Sequence, residues 1–213
     1  MNSIPVIVYG AGGLGREVMQ IVLLTLASGD EYHALGYVDD GVAPGKILNG
    51  FPVLGDGNYL ENFEGNVALV FGIADPRIKA KLYAEFKEKS NIKFPSVIHP
   101  GVSISDYASI GQGVVAAFGS YISLDAVLGD FVFINNGASI GHDVKIGAFT
   151  SVMPLAAIGG NVTVGERCLI GAQCSIKQGL SIGSGAVIGM GSVVLSDVPD
   201  GVTVVGNPAR SIR

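Results

Sequence analysis

Three histidines occur in the 213 residues, His33, His99 and His142. His142 has the setting that suggests chemistry. It stands in SIGHDVKIG, residues 139–147, where Ile140 and Ile146 obey an aliphatic rule that the histidine neither serves nor breaks. An imidazole freed from packing duty is a candidate for moving a proton, provided that it faces out of the protein. A second constellation opens the chain. PVIVYGAGGLGREVMQIVLLTLAS reads as a strand, a turn carrying Gly10, Gly12, Gly13 and Gly15, and a helix; the strand ALGYVDD then brings Asp39 24 residues after Gly15. Such a turn presents backbone N–H groups and a helix N-terminus to a phosphate, and the acid suits a ribose hydroxyl. The alternative is a glycine turn that merely packs helix on strand.

Composition narrows the classes. A net charge of −5 argues against a phosphate-neutralising surface, so nucleic acid is not an expected partner. The most apolar stretch, VMQIVLLTLA at 18–27, is ten residues interrupted by Gln20, against the roughly 20 that a membrane span requires. The first residues lack a basic leader and run into a strand pattern, so a cytoplasmic location is expected. Cys168 and Cys174 are too few for a disulfide framework, or for a zinc site without further ligands. Charge is uneven: residues 1–97 carry 19 charged side chains and residues 98–213 only 12, which points to two designs in one chain.

The second design is a repeat. Stepping by six from Ile98 to Val194 lands on Ile, Leu or Val at every position except Ala116, with no slip of frame. Four residues after each anchor comes a mostly small side chain, Cys168 and Cys174 among them, and Gly often follows the anchor. A helix wants apolar residues at i, i+3, i+4 and i+7 and a half-buried sheet wants alternation; a six-residue beat fits a short strand and a turn, repeated. If three units make one coil, residues 18 apart stack at about 4.8 Å and the chain builds between five and six coils. His142, two places after an anchor, then points away from the apolar column.

In the first half, NVALVFGIAD reads as a third strand and PRIKAKLYAEFKEK as a helix with Pro76 at its start. Fewer than 100 residues make a truncated Rossmann-like unit, which favours a mononucleotide or sugar nucleotide over NAD. The expected division is a Rossmann-like α/β domain over 1–95 and the repeat over 96–213.

The [Ile/Leu/Val]-Gly-x-x-[small]-x beat resembles the hexapeptide-repeat acyltransferases, whose fold is a left-handed parallel β-helix. Fused to a Rossmann-like unit, and with GAGGLG, YVDD, NNGASIGHDVKIG, IGGNVTVG and VVGNPAR in place, the whole chain resembles the NeuD/PglD-like sugar acyltransferases. The resemblance implies a homotrimer with acetyl-coenzyme A in the cleft between adjacent prisms and a nucleotide sugar on the N-terminal unit. It implies His142 as general base, Asp143 as the acid that orients it, and Gly160 as the glycine whose amide faces the acetyl carbonyl. It extends to Ala172 and Met190 as coenzyme A contacts, and to Gly12, Gly13, Asp39 and Asp40 as holders of the nucleotide. Acetylation of a sugar amine is the leading expectation, with no metal, and acetylation of a hydroxyl the runner-up. Two family histidines are replaced, by Leu14 and Ser151, which bears on the acceptor pose and on any second contact to the acetyl group. His99 reads as a structural entry residue, and His33 has no expected role. A zinc enzyme would need three imidazoles where the repeat has two; a passive solenoid would show a ladder of one residue type, and threonine is too scattered for one.

Overall fold

Val6, Ile7 and Val8 are all fully buried, which is why the first strand is apolar on both faces: it lies in the middle of a covered parallel sheet. In the computed structural model, which describes residues 3–212, this strand, β1 (Ile4–Tyr9), runs into α1 (Gly13–Leu24). There follow β2 (Tyr32–Val38), β3 (Ile47–Leu48), β4 (Phe51–Gly55), α2 (Gly57–Glu61), β5 (Val67–Phe71), α3 (Pro76–Phe86) and β6 (Ile92–Lys93). The sheet order is β3-β4-β2-β1-β5-β6, parallel except for the β3–β4 pair. From β1 the chain moves to β2 on one side and later to β5 on the other, so a crevice opens beyond the carboxyl end of β1, at the glycine turn. Helix α1 buries Val18, Met19, Ile21 and Val22 on one face of the sheet. Helix α3 begins with Pro76, and the Asp75 carboxylate accepts from the N–H groups of Arg77 and Ile78 at 2.8 and 3.3 Å.

From Val97 the six-residue beat becomes a triangular parallel β-helix. One face stacks the strands at Val97, Val115, Phe133, Ser151, Leu169, Val187 and Thr203. A second stacks those at Ser103, Tyr121, Ser139, Ala157, Ser175 and Val193, and a third those at Ser109, Val127, Lys145, Thr163 and Ser181. The register is 18 residues throughout these faces, as at Ile122↔Ile140 and Ile140↔Ile158, until the last coil closes in 16 with Val187↔Thr203. The aliphatic anchors and the small residues four places on form one continuous core, in which Cys168 and Cys174 are wholly buried free thiols. Burial pushes the Cys174 thiol up to about 12 and raises that of Cys168, whose Sγ donates to the Gly183 carbonyl at 3.0 Å, so neither is an available thiolate. The corners turn through positive φ, as at Asp125, Asp143, Asn161 and Gly179, types that tolerate that conformation.

The two parts are fused along the first face. Helix α1 and the sheet pack on Val97, Val115, Ala117 and Phe133. At the neighbouring corner Phe131 and Phe149 stack with centroids 5.3 Å apart, and Tyr83 of α3 closes on both. Lys79 of α3 is buried there, its Nζ donating to the carbonyl of Phe131 at 2.8 Å and of Thr150 at 3.4 Å.

Candidate active site

Adjacent residues of a strand face opposite ways, so His142 and Asp143 can meet only in a turn. They lie in one: the strand ends at Ile140, and Asp143 adopts φ 58°. His142 Nδ1 and Asp143 Oδ2 are 2.8 Å apart. A carboxylate only accepts, so Nδ1 carries the proton in this contact, and in the neutral ring Nε2 is the free acceptor. Both side chains are more than half exposed, His142 at 58% and Asp143 at 51%, and the ring therefore points out of the prism.

Gly160 lies one coil below. A Cβ placed on it would come within 2.5 Å of Cε1 and Nε2 of His142, so the ring rests on the bare α-carbon. Any larger residue would press on Nε2 and Cε1 of the ring. The Asn161 N–H donates to the His142 carbonyl at 2.8 Å, tying the two turns, whereas the Gly160 N–H makes no hydrogen bond among the described residues.

Ala172 and Met190 share a different corner, joined by the Gly191 N–H to Ala172 carbonyl bond at 2.8 Å. Met190 is 81% exposed. This corner and that of His142 stand at opposite ends of the second face. One chain does not bring the expected coenzyme A contacts to the expected base. Ser151 is wholly buried on the first face, where the α/β unit covers the prism, and its hydroxyl has no partner. A side chain there does not face the His142 corner of its own chain.

At the glycine turn, packing explains two glycines and not two others. A Cβ on Gly15 would collide with the Gly10 carbonyl, and Gly10 has φ 107°; Gly12 and Gly13 have open space where a Cβ would go. Gly12 caps α1 without a side-chain hydrogen bond, leaving the N–H groups of a 12-residue helix directed at the crevice. The Asp39 carboxylate accepts from Ala11 N at 2.7 Å and Gly41 N at 2.8 Å, bracing the turn. Asp40 turns away to the other side of the sheet, where Tyr9 Oη donates to both its oxygens and Gly57 N to one. Tyr9, held well above the usual phenol range by burial and by Asp40, was not legible as part of this edge because it sits in an ordinary strand pattern. His33 pairs with Ser3 on the surface.

Among the described residues no three His, Cys, Asp or Glu side chains converge as metal ligands, and no helix is long and apolar enough to cross a membrane.

Residues 5–86 match the family described as PglD N-terminal domain, and residues 161–196 the hexapeptide repeat of succinyl-transferase. GDP-perosamine N-acetyltransferase of Escherichia coli O157:H7 is 35% identical over 97% of this chain and 95% of its own. The chain belongs to the PglD-like hexapeptide-repeat sugar N-acetyltransferases. Its family uses acetyl-coenzyme A, and its prism is the left-handed parallel β-helix of these enzymes. Perosamine N-acetyltransferase from Caulobacter crescentus, a variant with one histidine changed to asparagine, in complex with CoA and GDP-perosamine, superposes with a TM-score of 0.88 at 30% identity, over 98% of this chain and 97% of that one. The acetyltransferase domain of PglB from Neisseria gonorrhoeae in complex with acetyl coenzyme A gives 0.89 at 33%, over 99% and 100%. The reaction of this sugar N-acetyltransferase is therefore acetyl transfer from acetyl-coenzyme A to the amine of a nucleotide-linked amino sugar.

Proposed function

We propose that His142 is the general base of this reaction, that Asp143 orients it, and that the acceptor is a GDP-linked amino sugar held by the glycine turn. The observation that carries this reading is the His142–Asp143 contact of 2.8 Å on an exposed corner with Nε2 unencumbered above Gly160. The acceptor nitrogen attacks the thioester carbonyl while Nε2 takes its proton; the tetrahedral intermediate then expels the coenzyme A thiolate, which recovers the proton from the imidazolium. The Gly160 N–H is the donor offered to the oxyanion. Coenzyme A lies in a cleft between two copies of the chain in a homotrimer, where the Ala172–Met190 corner of one copy meets the His142 corner of the next. Gly12 and Gly13 receive the diphosphate at the α1 N-terminus, with Asp39 on the nucleoside side and Asp40 bracing the edge of the site from the far face of the sheet. The enzyme works in the cytoplasm.

The bound ligands of the Caulobacter relative favour GDP-perosamine as the first substrate to try, and the histidine replaced in that complex fits a repeat in which His142 is the exposed, acid-paired imidazole. Release of coenzyme A is to be measured with GDP-perosamine, with UDP-linked amino sugars and with hydroxyl counterparts. Turnover confined to the amines is the expected result. Faster acetylation of the hydroxyl sugars would overturn the choice of nucleophile.

A further inference from the structure

We propose that His99 is a sugar-binding residue: its Nε2–H donates a hydrogen bond to an oxygen of the hexose in the cavity between α1 and the prism. The proposal rests on the nucleotide-sugar reading given above and adds the place and chemistry of the sugar itself.

The cavity has a volume of about 260 Å³ and is lined by Leu14, Glu17 and Ile21 of α1 and by His99, Phe118 and Asn136 of the prism. Leu14 is the second residue of that helix, so the cavity starts where the uncapped N–H groups end. A diphosphate at the helix N-terminus would send its sugar into this space. The volume lies just below the roughly 300–1,000 Å³ of whole-ligand sites, which suits one sugar ring and not an entire nucleotide sugar.

His99 is built to donate here. Its Nδ1 accepts from the Gly101 N–H at 2.9 Å, which leaves Nε2 as the nitrogen that carries the proton. Its ring meets Phe118 edge to face, centroids 5.2 Å apart, which fixes its direction. Nε2 has no hydrogen-bond partner among the described residues. With Nδ1 accepting from the backbone, Nε2 is the ring nitrogen turned to the cavity as a donor. Asn136 and Glu17 supply further polar atoms, while Leu14, Ile21 and Phe118 offer an apolar wall, a combination suited to a sugar with few hydroxyls along one edge.

The test compares wild type, His99→Phe and His99→Gln by titration calorimetry with GDP alone and with GDP-perosamine, alongside KM for both substrates. Phenylalanine keeps the ring and loses the donor; glutamine can accept from Gly101 and still donate. For His99→Phe we expect GDP affinity and the KM for acetyl-coenzyme A to hold, and nucleotide-sugar affinity to fall about tenfold, the scale of one lost hydrogen bond in a closed site; His99→Gln should recover most of it. Unchanged nucleotide-sugar binding in His99→Phe, or equal weakening toward GDP and acetyl-coenzyme A, overturns the proposal. If His99→Phe does not fold, His99→Leu gives the same readout, with sugar affinity lost and GDP affinity kept. Failure of the wild type to bind any nucleotide sugar would instead sink the underlying reading.

Discussion

The position of the His142 ring depends on what Gly160 lacks. In Gly160→Ala the new methyl would sit 2.5 Å from Nε2, closer than atoms approach, so the ring must swing away from Asp143 or the turn must shift. We expect turnover to fall about 100-fold, the cost of misplacing a catalytic group by about an ångström, while the melting temperature stays close to wild type because the corner is exposed. In His142→Ala turnover should drop about 10²–10⁴-fold, the usual worth of a general base. Steady-state kinetics on both variants decides the matter: a wild-type kcat in His142→Ala would remove the base, and a wild-type kcat in Gly160→Ala would remove the steric argument. That the two residues lie one above the other was legible in the sequence because they stand 18 residues apart in a repeat of three six-residue units. The residues alone did not separate Gly12 and Gly13 from Gly10 and Gly15; the resemblance picked out the first two, and the packing shows that these two face open space.

At the level of elements, the hexapeptide period was visible because every coil must bury the same face against the next, so the constraint repeats and cannot be hidden by local exceptions such as Ala116. The docking of α3 on the prism was hidden for the opposite reason: it relies on single residues, with Phe131 and Phe149 at left-handed turn positions that ordinarily hold Asn, Asp or Gly, and on one lysine in an otherwise ordinary amphipathic helix. Burial holds the Lys79 ammonium down to about 7, with Asp75 pulling the other way. The unfolded chain keeps that proton up to about pH 10.4. Between about pH 7 and 10.4 the unfolded state thus binds more protons than the native one, and the contribution of Lys79 to stability rises with pH. Lys79→Met keeps the length of the side chain and deletes the titration. Urea melts at pH 7, 8 and 9 should show wild type gaining on Lys79→Met as pH rises, at a rate approaching about 1.4 kcal/mol per pH unit. A constant difference across that range would mean that the buried amine does not titrate there.

For the whole molecule, the separation of the two corners decides how many copies make a site. The sequence placed His142 with Ala172 and Met190 only by resemblance, and nothing in a linear repeat tells which of three corners a given turn will occupy in relation to a second chain. The fold sets them a full face apart, with Phe118, Leu155 and Met190 exposed at one corner and Leu124 and Leu195 at the other. If the site joins the His142 corner of one copy to the Ala172 corner of the next, two defective chains can complement each other. Ala172→Trp should block the coenzyme A side and His142→Ala the base side, each inactive alone. Refolded or co-expressed at equal amounts as cyclic trimers, about one site in four would receive an intact base from one copy and an intact corner from its neighbour. Activity near a quarter of wild type is the expected outcome of that mixing. Mixed trimers with no activity would show instead that each chain completes its own site, which the distance between the corners opposes.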